Sequence, residues 1–162
     1  LPPVFGGQKG IALFNKYLAA HFPLTCICSN NNSEGEATNY RVVTALPTGK
    51  SQLVNPLCWI KIGKAGKAEK TTHIILEHPY HGIAGWLCKK TSGAKLIVHS
   101  HNIEYLRFRQ QKKWWWQLMA GYEKWTHRNA DLNVHDAFHV DDVIAQEGRA
   151  SRFQLMILEP YR

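Results

Sequence analysis

Short apolar runs that stop at polar or turn residues recur along this chain, and segments of helical spacing separate them. The runs fall at 24–28, 40–46, 73–76, 95–98, 131–134 and 153–158. Between them, Ile11, Ala12, Phe14, Leu18 and Ala19 recur at helical spacing over 8–21, and Pro23 ends the pattern. Further helices are expected after Pro56, over 82–90 with Gly93 as its cap, over 104–127, and over 138–146 with Gly148 as its stop. Residues 30–39 read as a polar loop, and 63–70 as a basic loop that extends the positive charge of Lys61 through Lys64, Lys67 and Lys70. Strands that alternate with helices predict an α/β domain with an open parallel sheet and helices on both faces. Near-continuous apolar strands are what burial on both faces requires.

A length of 162 residues fits one domain with a core of its own. The formal net charge of +8 points to anionic partners such as nucleotide phosphates, nucleic acid or an anionic membrane surface. Cys26, Cys28, Cys58 and Cys88 contain no CxxC pair, which removes zinc-finger spacing and leaves free buried thiols in a reducing compartment as the reading. Thr48-Gly49-Lys50-Ser51 lacks the upstream glycine of a phosphate-binding P-loop, and no GxSxG elbow occurs. No apolar run is long enough to span a bilayer.

The polar residues concentrate where strands end. His99, Ser100, His101, Asn102 and Glu104 follow the run at 95–98, and Glu77, His78, Pro79, Tyr80 and His81 follow the run at 73–76. In an open α/β sheet ligands bind beyond the carboxyl ends of the strands, and in a parallel sheet these two ends share one rim. His99 and His101 face one side if the strand continues through them. Three roles are open to them: a general base or hydroxyl ligand, a metal pair completed by Glu77, His78 or His81, or a cap for the next helix. Gly6 and Gly7 sit where the first helix begins, where free N–H groups suit an anion.

The helix expected over 104–127 carries Arg107, Arg109, Lys112 and Lys113 ahead of Trp114-Trp115-Trp116. At about 100° per residue, Tyr105, Phe108, Trp115, Leu118, Met119, Tyr122 and Trp125 form one stripe expected to face the core. Trp114 and Trp116 then project from its flanks. Basic residues beside such tryptophans fit an interfacial helix on an anionic membrane, and also base stacking on single-stranded nucleic acid.

With these motifs in order, the chain resembles the amino-terminal domain of family 4 glycosyltransferases, which have two facing Rossmann-like domains. Pro2-Pro3-Val4-Phe5-Gly6-Gly7 is similar to the family's glycine-rich loop, and Glu77-His78-Pro79-Tyr80 to the end of its middle strand. His99-Ser100-His101-Asn102-Ile103-Glu104-Tyr105 is similar to its strand-end histidine motif, and Arg128-Asn129-Ala130-Asp131 to its helix-to-strand junction. The motifs are short, and their order over nearly the whole chain carries the resemblance.

The resemblance implies a Rossmann-like sheet and transfer of a sugar from a nucleotide-sugar donor to a glycan or lipid-linked acceptor. It implies no metal and no cofactor beyond the donor substrate. His101, with His99 second, would line the reacting centre. Gly6 and Gly7 would approach the donor phosphates, and Glu77, His78, Tyr80, Asn102 and Glu104 would line the acceptor side. Arg107, Arg109, Lys112, Lys113, Trp114 and Trp116 would meet a membrane surface, with the protein cytoplasmic and peripheral at the inner membrane face; nucleic acid is not the expected partner. The family's first strand, normally central in the sheet, and its carboxy-terminal donor domain are expected to be missing, so this chain alone is expected to bind acceptor without turnover. Val134-His135-Asp136-Ala137 departs from the Ser or Thr loop that the family often carries there. The alternative is a non-catalytic module that binds anionic lipid or nucleic acid through the basic, Trp-rich helix.

Overall fold

The computed structural model describes residues 6–30, 39–49, 51–135 and 155–158. The helix expected over 138–146, the polar loop over most of its length and the segment Pro2–Phe5 lie outside these residues. Helix α1 (Gly6–His21) leads into β1 (Leu24–Ser29) and β2 (Arg41–Leu46); α2 (Ser51–Val54) and α3 (Pro56–Ala68) precede β3 (His73–Leu76). A single 3-10 turn (Pro79–His81) and α4 (Gly82–Ser92) then lead to β4 (Lys95–Ser100). Helices α5 (Glu104–Gln110) and α6 (Trp116–Asn129), β5 (Leu132–His135) and β6 (Leu155–Leu158) follow.

All strand pairs are parallel, in the order β2-β1-β6-β3-β4-β5. Alternate residues of each strand point to opposite faces, so each strand feeds two cores. Ile27, Ile74, Leu76, Leu96 and Val98 pack with Cys58 and Ile62 of α3 and Ala84 and Cys88 of α4. Cys26, Cys28, Ile75, Ile97, Val134 and Ile157 pack with Leu18 of α1 on the other face. The sheet therefore has helices on both faces, as the apolar strands require.

The middle of the sheet, where the resemblance left a gap, is occupied. Strand β6 lies between β1 and β3, with Leu155 opposite both Leu24 and His73. On one side of that central strand the chain runs outward from β1 to β2, on the other from β3 through β4 to β5, and β6 comes last into the middle. The strand order thus reverses at β6, and the crevice that such a switch point opens lies at the carboxyl ends of β1 and β3.

Two expectations about helices change. Residues 63–68 are not a basic loop but the second half of α3, in which Gly63 and Gly66 are buried. A Cβ on Gly63 would stand 3.3 Å from Thr91 Oγ1 of α4, so glycine there serves close helix packing rather than flexibility. The long helix over 104–127 is two helices. At its break Lys112 adopts φ 53°, the Lys112 N–H donates to Arg109 O at 3.0 Å, and the Lys113 N–H donates to Phe108 O at 3.0 Å. This is a Schellman ending with lysine in the left-handed position. Helix α3 ends the same way, with Lys70 at φ 51° and the Thr71 N–H on Gly66 O.

The break also dissolves the continuous stripe. Met119 is buried, but Leu118 is 70% exposed. The Phe108 and Trp115 rings close the α5–α6 corner with centroids 4.4 Å apart.

Candidate functional site

The register of β3 on β4 builds the site. Ile75 pairs with Ile97 and Leu76 with Val98, so Glu77 and His99 follow side by side on the α1 face. The strand continues through His99 to Ser100, which puts His101 beyond its end but near the same carboxylate. Glu77 Oε2 accepts from both rings, His101 Nε2 at 2.9 Å and His99 Nδ1 at 3.2 Å. Glu77 is fully buried, and its Oε1 has no hydrogen-bond partner among the described residues. Burial is the strongest influence on this carboxyl and would raise its pKa. The hydrogen bonds from His101 and His99, with their charge, outweigh it and hold the group below the usual carboxylate value.

Helix α1 covers this corner. The Phe14 ring lies 5.1 Å from the His99 ring, and the two histidine rings are 4.3 Å apart. Helix α1 begins at Gly6, about 12 Å along its axis before Phe14 at 1.5 Å per residue. Its free N–H groups therefore lie on the same side of the sheet as the histidines. The His101 side chain is 26% exposed and is the most accessible member of the trio.

A second buried carboxylate stands next to the first. Glu104 accepts from the Tyr80 hydroxyl and from Arg107 Nη2 at 2.7 Å, and His78 Nδ1 lies 3.5 Å from its other oxygen. Arg107 also donates to the Tyr80 hydroxyl. Burial first, then the Glu104 hydrogen bond, push the Tyr80 phenol far above its ordinary value, so it stays protonated. The His78 ring joins the clusters, 5.2 Å from the His101 ring and 5.7 Å from the Tyr80 ring.

The structure thus assembles most of the residues expected at the reacting centre and the acceptor side. Glu77, His99 and His101 form one group, and His78, Tyr80, Glu104 and Arg107 the adjoining one. Both glutamates are fully buried beneath the side chains they hold. Asn102 is exposed at the rim. Arg107, expected at a membrane surface, also touches the second group through Tyr80 and Glu104. Arg109 lies over the half-buried Trp116 ring at 5.4 Å, whereas Trp114 is 84% exposed.

Several positioning residues were not legible. Glu123 on α6 is buried and caps α5 from outside, its carboxylate accepting the Glu104 N–H at 3.1 Å and the Tyr105 N–H at 2.9 Å. Its signal was a carboxylate sharing the inner face of a helix with Met119 and Thr126. The Tyr122 hydroxyl donates to Tyr80 O at 2.9 Å and accepts the Ile83 N–H at 3.2 Å, which pins the turn that carries Tyr80. Comparison of the chain with protein-family models, with curated proteins and with solved structures finds no match.

Proposed function

We propose that this rim is the acceptor-holding wall of a glycosyl-transfer site, with His101 meeting the reacting sugar hydroxyl. The observation that carries the reading is the hydrogen bond from His101 to the buried carboxylate of Glu77, placed at the carboxyl edge of the sheet next to its switch point. A carboxylate that holds one imidazole nitrogen as a donor makes the other nitrogen the acceptor. That is the orientation a general base needs toward a hydroxyl. His99, packed between Phe14 and Glu77, gives the same carboxylate oxygen a second hydrogen bond. Arg107, held by Tyr80 and Glu104, supplies donors beside it, of the kind that bind sugar oxygens. The first turn of α1 presents N–H groups suited to the phosphates of a nucleotide-sugar donor. The order of the sequence motifs adds the resemblance to family 4 glycosyltransferases.

The test is binding by this chain. Titration with a panel of oligosaccharides and nucleotide sugars, followed by NMR, should shift resonances of β3, β4 and the loop at 101–103. His101→Ala should remove the acceptor response while the circular dichroism stays that of the parent. Undiminished saccharide binding by that variant sinks the assignment.

A second reading rests on one observation, the exposure of Trp114 and Leu118 beside the exposed Lys112 and Lys113. An apolar knob ringed by cations suits an anionic lipid surface. Among the described residues no helix is long and apolar enough to cross a membrane.

A further inference from the structure

We propose that Glu77, His99 and His101 form a binding site for a divalent transition-metal cation, zinc foremost. The proposal goes beyond glycosyl transfer and does not depend on it; a bound ion puts the proton on the outer nitrogen of His101, so metal binding and the general-base role are alternative states of the same site. The resemblance implies no metal at this rim.

The geometry is that of a three-ligand site. Each of the three residues offers one ligand atom, and these atoms all lie within 4.8 Å of one another. In a tetrahedral zinc site with bonds of about 2.0–2.2 Å, neighbouring ligand atoms stand roughly 3.3 Å apart. The separations of Glu77 Oε2 from His101 Nε2 and His99 Nδ1, 2.9 and 3.2 Å, need to open only slightly to admit an ion. The remaining pair, the two ring nitrogens, lies within 4.8 Å. On binding, each ring turns its lone pair to the metal, and the proton that pointed at Glu77 moves to the other ring nitrogen.

The third ligand was the missing part of the metal reading, and the β3–β4 register supplies it. Of the candidates Glu77, His78 and His81, only Glu77 stands with both histidines in such a group. His78 faces Glu104 instead.

A second observation points to a cation. Glu77 Oε1 is buried without a hydrogen-bond partner among the described residues. An unsatisfied buried carboxylate oxygen is costly, and a divalent ion on the same carboxylate supplies the charge it lacks. The supports are rigid, since Glu77 and His99 extend paired strands of the sheet and Phe14 covers His99.

The donor set selects the ion. Two imidazoles and one carboxylate suit zinc, cobalt, nickel or ferrous iron, whereas magnesium and calcium favour all-oxygen shells. Three protein ligands leave a fourth position, on the side where His101 reaches solvent, for water or a ligand.

The experiment is calorimetric titration of the chelator-stripped chain with zinc chloride, repeated with cobalt chloride to read the visible absorption of a tetrahedral centre. One ion per chain is expected, with a cobalt spectrum of that type and a zinc-dependent rise in melting temperature. His101→Ala and His99→Ala should each weaken zinc binding by at least about 10-fold. Because His101 is partly exposed, its variant keeps the fold, which circular dichroism checks. Absence of stoichiometric zinc binding overturns the proposal. So does zinc binding that both variants retain, since cysteines or other histidines would then be the ligands. Metal binding is read without any saccharide, so its failure is distinct from failure of the glycosyl-transfer reading.

Discussion

Glu77 stands beside His99 because each lies two residues beyond the Ile75–Ile97 pair of the β3–β4 ladder. Parity then places both side chains on the α1 face, above the core that Ile75 and Ile97 share with Leu18. The carboxylate is thus delivered by the register of two central strands rather than by a loop. Replacing it leaves two partly buried imidazoles without the acceptor they share. Glu77→Ala is expected to cost about 1–3 kcal/mol of unfolding free energy, the usual consequence of orphaning a buried polar partner. Urea denaturation checks this, with a lower midpoint at unchanged slope. Stability equal to the parent would mean that the carboxylate contributes nothing to the corner.

Asp131 organises the opposite end of β4. Its carboxylate accepts the Leu96 N–H at 2.7 Å and the Lys89 ammonium at 2.7 Å, while its own N–H donates to Leu96 O. Burial would raise its pKa, but the Lys89 and Leu96 hydrogen bonds overcome that and lower it. A group with a lowered folded pKa stabilises the fold above its unfolded value, about 3.9 for Asp, and that stabilisation is lost as pH falls through the folded value. Asp131→Asn should therefore be less stable near neutrality, by about 1 kcal/mol. It should also lose less stability than the parent when titrated from about pH 5 downward. Parallel stability–pH curves for the two proteins would show that Asp131 has no part in the acid transition.

Lys70 and Lys112 each occupy a left-handed backbone position at a helix end. Left-handed geometry costs an L-residue about 1–2 kcal/mol, and glycine avoids that cost while losing more entropy on folding. Lys70→Gly and Lys112→Gly should each stabilise the protein by a net of roughly 0.5 kcal/mol. The two sites close separate helices, so the gains should add. Thermal unfolding of the single and double variants reads this directly, and a loss of stability would mean that the lysine side chains have contacts worth more than the backbone strain.

These lysines also mark features that local sequence does not encode. Strands and their polar ends were legible because apolar runs buried on both faces are continuous and because Pro23, Pro47 and Pro79 punctuate them. The same signals place Glu77, His99 and His101 on one rim. Register was not legible, since nothing local tells Ile75 to pair with Ile97 rather than with a neighbour. The glycines of α3 read as a loop because their close packing on α4 is a tertiary fact. The ends of α3 and α5 were missed because lysine is not an expected left-handed residue. For the same reason the periodicity runs unbroken through the α5–α6 corner, although Leu118 points to solvent.

That corner leaves Trp114 at 84% exposure, with Lys112 and Lys113 before it and Leu118 exposed four residues on. Trp116, by contrast, is covered in part by the guanidinium of Arg109. The two tryptophans should therefore respond differently. Trp114→Ser is expected to leave stability within about 0.5 kcal/mol of the parent, as for a side chain that packs on nothing. If the corner meets a lipid surface, the same change should weaken binding to vesicles containing phosphatidylserine, with a further loss on adding Lys113→Ser at low salt. Trp116→Ser should instead lower stability through the lost cation–π contact and packing, by about 1 kcal/mol. Sedimentation with vesicles of anionic and neutral composition separates these effects from the fold. Equal vesicle binding by the parent and the Trp114 variant would remove the membrane reading. A preference for single-stranded nucleic acid over anionic vesicles would reassign the same exposed ring to base stacking.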